Sequence, residues 1–192
     1  MKTALTVEII SVICNIVFLI LLINEKKQCW IYGILGSITG AYVFYENAYY
    51  SETLLYTFYA FVGIYGYYYW DRNESKNFTI KRTSIFYIVV MILGGALAGL
   101  GLGFLMSKTD AANPYYDAMS TSFGILATFL ELYKYFVAWG FWILINAYTI
   151  WLYGIKDLDF FAFQMVIYTT LSIYGFVSWR KKMVSLSLFI NC

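Results

Sequence analysis

The sequence predicts an all-α integral membrane protein of seven transmembrane helices, arranged as two parallel three-helix repeats joined by a linker helix. Three observations predict it. The 192 residues are 61% hydrophobic and only 12% charged, whereas soluble domains average about 25% charged residues. So few charges cannot cover a surface that faces water. The apolar residues also come in long runs between short polar connections, the pattern of membrane spans. Finally, one phrase occurs twice: Ile64-Tyr65-Gly66 followed by Trp70 returns 109 positions later as Ile173-Tyr174-Gly175 followed by Trp179. In the same ungapped register Trp30 meets Trp139 and Tyr59 meets Tyr168. One match in so aromatic a chain means little, but several in one register are hard to obtain by chance.

The first span is Leu5–Ile23. It contains Glu8 and lacks a small-residue cleavage site, so it reads as a retained helix and not a signal peptide. Ile31–Phe44 and Thr53–Tyr69 complete the first repeat. Several spans are shorter than the ~20 residues a straight crossing needs, so their ends take in Tyr and Trp at headgroup depth. Ser84–Met106 is the linker. Its Gly95, Gly99 and Gly103, at four-residue spacing, allow close helix approach, either within its own subunit or in an oligomer. Met119–Leu132, Phe136–Tyr153 and Phe160–Ser178 form the second repeat. By range, 1–70 is the first repeat, 71–118 the linker helix and its loops, 119–180 the second repeat and 181–192 a cytoplasmic tail. The connections Asn24 to Cys29, Asp71 to Arg82, Lys108 to Asp117 and Gly154 to Asp159 are too short to form a soluble domain.

Charge placement orients the chain. With seven spans, ten basic residues fall on one side: Lys26, Lys27, Arg72, Lys76, Lys81, Arg82, Lys134, Arg180, Lys181 and Lys182. Lys2, Lys108 and Lys156 fall on the other. Cytoplasmic loops retain Lys and Arg, so the N-terminus is outside and the C-terminus inside. Six or eight spans would break this partition. Three spans are an odd number, so adjacent copies would be inverted; the fourth span restores the direction and makes the repeats parallel.

Several classes are disfavoured. A net charge of +2 gives no case for nucleic acid. The chain has no histidine, and Cys14, Cys29 and Cys192 show neither zinc spacing nor a disulfide framework. No P-loop is present, so ATP hydrolysis is not expected, and no cofactor is implied. An integral membrane enzyme would need acids, nucleophiles or metal ligands. A membrane sensor would need neither a polar mid-membrane cavity nor a repeat built for rocking.

The most specific local feature is Trp139, Trp142 and Asn146, at i, i+3 and i+7 on one helical face. Asn146 lies ~10 Å beyond Trp139, near mid-membrane. There its carboxamide must find a partner, since hydrocarbon offers none. A helix–helix hydrogen bond is one reading; a substrate contact, favoured by the aromatic neighbours, is the other. Asn15 sits mid-span in the first helix, and Ser37 holds the place of Asn146 in the first repeat. Gln164 lies about one turn inside the seventh span. Tyr56, Tyr59 and Tyr168 either line a cavity or pack. Trp70 and Trp179 read as interfacial anchors. Glu8 either snorkels or lines an outer vestibule.

Trp139-x-x-Trp142-x-x-x-Asn146, with Tyr-Gly-x3-Trp closing each repeat, resembles the PnuC family of bacterial vitamin transporters from Glu8 to Trp179. The resemblance implies a fold like that of the SWEET transporters and facilitated uptake of nicotinamide riboside across the inner membrane. It implies alternating access, with net uptake maintained by intracellular phosphorylation, and a homo-oligomer, a trimer. Trp139, Trp142 and Asn146 would line the central site. Two departures leave thiamine or another nucleoside-like vitamin open as cargo: Val137 and Ala138 stand where relatives often have Glu-Asn, and Tyr56 where they often have Gln. Nicotinamide riboside suits the residues. Aromatic faces attract its pyridinium cation, and Asn146 and Gln164 can pair with its amide or hydroxyls. No basic residue is expected at mid-membrane to compensate a phosphate, and no conspicuous carboxylate there offers an ion-coupling site.

Overall fold

The computed structural model describes residues 2–46, 50–74, 78–109, 113–155 and 159–190. Lys76, Lys156 and Cys192, used in the charge and cysteine readings, lie outside these residues. Seven helices follow in order: α1 (Lys2–Ile23), α2 (Cys29–Glu46), α3 (Tyr50–Asn73), α4 (Ile85–Met106), α5 (Pro114–Leu132), α6 (Val137–Gly154) and α7 (Asp159–Ile190). Each expected span has its helix. The two bounds that differ most, the start of α5 and the end of α7, do so for clear reasons. Pro114, expected in a loop, begins α5, where its fixed φ suits the first helical position and its missing N–H is not needed. Helix α7 runs 32 residues, well past Ser178, because no Gly or Pro follows Gly175 to end it.

Apolar surface points outward. The windows Thr6–Ile23 and Ile85–Met106 have mean hydropathies of 2.7 and 2.4, yet only 17% of each is buried. The core helix of a soluble protein shows the opposite. On α4, Ile85, Phe86, Leu93, Leu97 and Leu105 are all exposed, as lipid-facing residues are.

The chain divides into two compact units, 1–78 and 79–192. In the first, α2 packs on both α1 and α3. The Lys27 ammonium bridges Asp71 and Glu74, each at 2.6 Å, tying the α1–α2 turn to the end of α3. These two carboxylates, Asp71 foremost, raise the ammonium's pKa above its ordinary value.

In the second unit, α5 packs on α4 and α6, and α6 packs on α7. The glycine stripe of α4 is covered from within this unit. A Cβ at Gly95, Gly99 or Gly103 would meet Phe123, Met119 or Tyr115 of α5 at 2.5–2.7 Å, and Ser122 Oγ donates to the Gly95 carbonyl at 2.8 Å. Backbone bonds from Lys81 to the Lys134 carbonyl (2.8 Å) and from Phe136 to the Lys81 carbonyl (2.9 Å) bind the segment before α4 to the α5–α6 turn.

The repeat extends to backbone detail. Helix α1 closes with Lys26 N–H on the Leu21 carbonyl at 2.9 Å, with Glu25 at φ 57°. Helix α5 closes 109 residues later with Tyr135 N–H on the Leu130 carbonyl at 2.8 Å, with Lys134 at φ 57°. A left-handed residue just past a helix satisfies its last carbonyls. Non-glycine residues seldom adopt that conformation, so its recurrence at equivalent positions is a strong mark of duplication.

Candidate substrate-binding site

Helix α6 presents Trp139, Trp142 and Asn146, and the structure gives each a different neighbour. Trp139 is only 1% exposed. Its ring lies over Gly175, where a Cβ would come within 2.5 Å, and edge-on to Trp179 at 5.4 Å and 86°. The first repeat builds the same triad. Trp30 lies over Gly66, again within 2.5 Å of a Cβ, and edge-on to Trp70 at 5.7 Å and 84°. Both Trp30 Nε1 and Trp139 Nε1 are buried without a hydrogen-bond partner among the described residues. The glycines of the repeated phrase therefore make room for an indole from the neighbouring helix. Trp70 and Trp179, read from sequence as interfacial anchors, are turned inward onto these indoles and buried.

Asn146, 5% exposed, donates from Nδ2 to Ser172 Oγ at 3.3 Å, joining α6 to α7. It thus has the helix–helix partner that a mid-membrane amide requires. The bond is long, and one weak donor bond leaves the carboxamide with further capacity. Trp142 is half-buried, and its Nε1 donates to Glu131 Oε2 at 2.6 Å. Gln164 and Tyr168 meet directly on α7, with Gln164 Nε2 donating to the Tyr168 hydroxyl at 2.9 Å.

The first-repeat candidates belong to the other unit. Asn15 lies against Gly36, where a Cβ would be 2.4 Å from its Oδ1, and Ser11 Oγ donates to the Gly36 carbonyl at 2.9 Å. Ser37, the next residue, is buried. The Tyr56 ring lies over Gly40, touches Phe44 at 4.9 Å and reaches Tyr59 at 5.9 Å. Asn15 is therefore brought against α2 at Gly36, and Tyr56 beside Tyr59.

Glu131 escapes a reading by spans. It stands one residue from the end of its span, where a charged side chain ordinarily snorkels to water. The structure instead buries it to 3% exposure. A signal was available: 109 positions earlier stands Leu22, which is fully buried. An acid in register with a buried leucine marks a special position.

The family model of nicotinamide mononucleotide transporters matches residues 5–181. The chain belongs to this transporter family. It is a multi-pass protein of the inner membrane and not an enzyme. Nicotinamide riboside transporter PnuC of Escherichia coli (strain K12) and that of Shigella flexneri are each 20% identical to it over 201 residues, covering 90% of this chain and 84% of theirs. The crystal structure of the vitamin B3 transporter PnuC matches with a TM-score of 0.77 at 19% identity, over 91% of this chain and 80% of that one. That likeness shows the fold. Ala138 fills an apolar niche among Ala127, Leu130 and Phe141.

Proposed function

We propose that the chain is a facilitator that carries nicotinamide riboside across the inner membrane by alternating access, with net uptake maintained by phosphorylation inside the cell. The observation that carries this reading is the chemistry of α6. An aromatic face and a carboxamide, Trp142 and Asn146, stand one turn apart on a helix with no Lys or Arg. Helix α7 likewise has none before Arg180. A flat cation with an amide and hydroxyls matches such a set. A phosphate does not, since burying its charge unpaired costs several kcal/mol. The family model is named for the mononucleotide and the relatives for the riboside; the residues of this chain favour the riboside.

In this reading Trp142 stacks on the ring and Asn146 bonds the amide or a hydroxyl. Gln164 and Tyr168, on α7 of the same unit, supply further polar and aromatic contacts. Trp139 locks α6 against α7 and so sets the direction of the binding face. The basic asymmetry supports an external N-terminus and a cytoplasmic C-terminus.

Calorimetry on the purified protein tests the substrate. Nicotinamide riboside should bind at least about a hundredfold more tightly than the mononucleotide. Equal affinities would overturn the reading, and tighter binding of thiamine would transfer it to that vitamin.

A further inference from the structure

We propose that Glu131 is a positioning residue for Trp142, holding the indole by its N–H edge so that the ring faces are presented to substrate. The ligand in this proposal rests on the nicotinamide riboside reading above. The geometry is direct: Trp142 Nε1 donates to Glu131 Oε2 at 2.6 Å, across from the last turn of α5 to α6. Both partners are special to the second repeat. In register with Glu131 the first repeat has the fully buried Leu22. In register with Trp142 it has Gly33, whose open side is filled by Phe18, 2.9 Å from a Cβ placed there.

The helix turn does not need the acid, because α1 closes in the same way with leucine at that place. An acid there carries a desolvation penalty that leucine avoids. What it adds is one directional bond, which leucine cannot make. An indole free to turn about its side-chain torsions presents its faces in several directions; one held at its N–H presents them in one. The bond engages the N–H edge in the ring plane and occupies neither face, while part of the ring packs on the cluster of Ala127, Leu130, Ala138 and Phe141. The ring so fixed stands one turn from Asn146 on the same helical face, so its plane is set relative to the carboxamide. Preorganisation of this kind lowers the ordering cost of binding.

Three variants test the proposal. Glu131→Gln keeps an acceptor. Glu131→Leu installs the first repeat's residue, and Glu131→Met keeps the length without the acceptor should the leucine variant fold poorly. The first readout needs no ligand: the ¹⁹F resonance of 5-fluorotryptophan at position 142, identified by its loss in Trp142→Phe. It should stay near the wild-type position in Glu131→Gln and shift in the leucine and methionine variants. The second is the Kd for nicotinamide riboside. It should stay within about threefold in Glu131→Gln and weaken about tenfold in Glu131→Leu or Glu131→Met. That loss should vanish when Trp142→Phe is already present. An unmoved resonance, or a loss that persists without Trp142, overturns the proposal. Failure of the wild type to bind nicotinamide riboside would overturn the substrate reading alone, since the ligand-free resonance still decides the role of Glu131.

Discussion

In the first repeat Trp30 packs on Gly66 and Trp70; in the second, 109 residues on, Trp139 packs on Gly175 and Trp179 with nearly the same spacing and angle. The turns that precede these tryptophans share a left-handed residue and a matching hydrogen bond. The positions between are treated differently. Leu22, Gly33, Ser37 and Gly63 in the first repeat are Glu131, Trp142, Asn146 and Ser172 in the second. The second set forms two polar pairs, Trp142 with Glu131 and Asn146 with Ser172. In the first set, Gly33 and Gly63 receive the apolar side chains of Phe18 and Ile34. The duplicated part is skeletal, and the divergent part is chemical. Removing skeletal residues should therefore hurt both repeats alike, while removing chemical ones should hurt only the second.

The largest effects should come from the shared triads. Trp30→Ala and Trp139→Ala should each cost about 3 kcal/mol or more of stability, because each leaves an indole-sized void. Thermal unfolding in detergent measures this, and a loss confined to one repeat would break the parity. Gly66→Ala and Gly175→Ala should each cost about 1–3 kcal/mol, since the added carbon meets an indole that cannot retreat without moving a helix. Clearly unequal costs would show that the two triads are not mechanically equivalent.

Asn146 and Ser37 sharpen the chemical half of the comparison. Asn146→Ala should weaken nicotinamide riboside binding by about 1–3 kcal/mol and leave the folded protein intact, while Ser37→Ala should change affinity by under about 0.5 kcal/mol. Calorimetry beside a melting curve separates the outcomes. Lost stability with unchanged affinity would make Asn146 a helix–helix residue bonded to Ser172 and nothing more. Smallest of all should be Lys27→Ala. Its ion pairs with Asp71 and Glu74 are screened by water and salt, so affinity should not change and any fall in melting temperature should disappear in high salt. A salt-resistant fall would show that the turn depends on the pair.

Much of this was legible in the chain. Long apolar runs fixed the seven helices, because a bilayer demands them, and the 109-residue register identified Trp30, Trp139, Gly66 and Gly175 as equivalents. What those residues do with one another was not legible. Period and spacing place Trp139 on the face of Trp142 and Asn146, yet cannot say that Gly175 clears a seat for its ring. Trp70 and Trp179 precede basic clusters, the usual setting of an interfacial anchor, and only the neighbouring helix reveals that they face inward. Glu131 escaped because hydropathy treats an acid near a span end as solvated; only the register with Leu22 marks the place as buried. The partners of α4's glycines were likewise open until α5 supplied Phe123, Met119 and Tyr115.

Transport in proteoliposomes tests the central claim most directly. Purified protein should equilibrate labelled nicotinamide riboside in both directions, and at clamped zero voltage neither a proton nor a sodium gradient should make it accumulate. Uphill accumulation driven by either gradient at zero voltage would contradict the account of a facilitator.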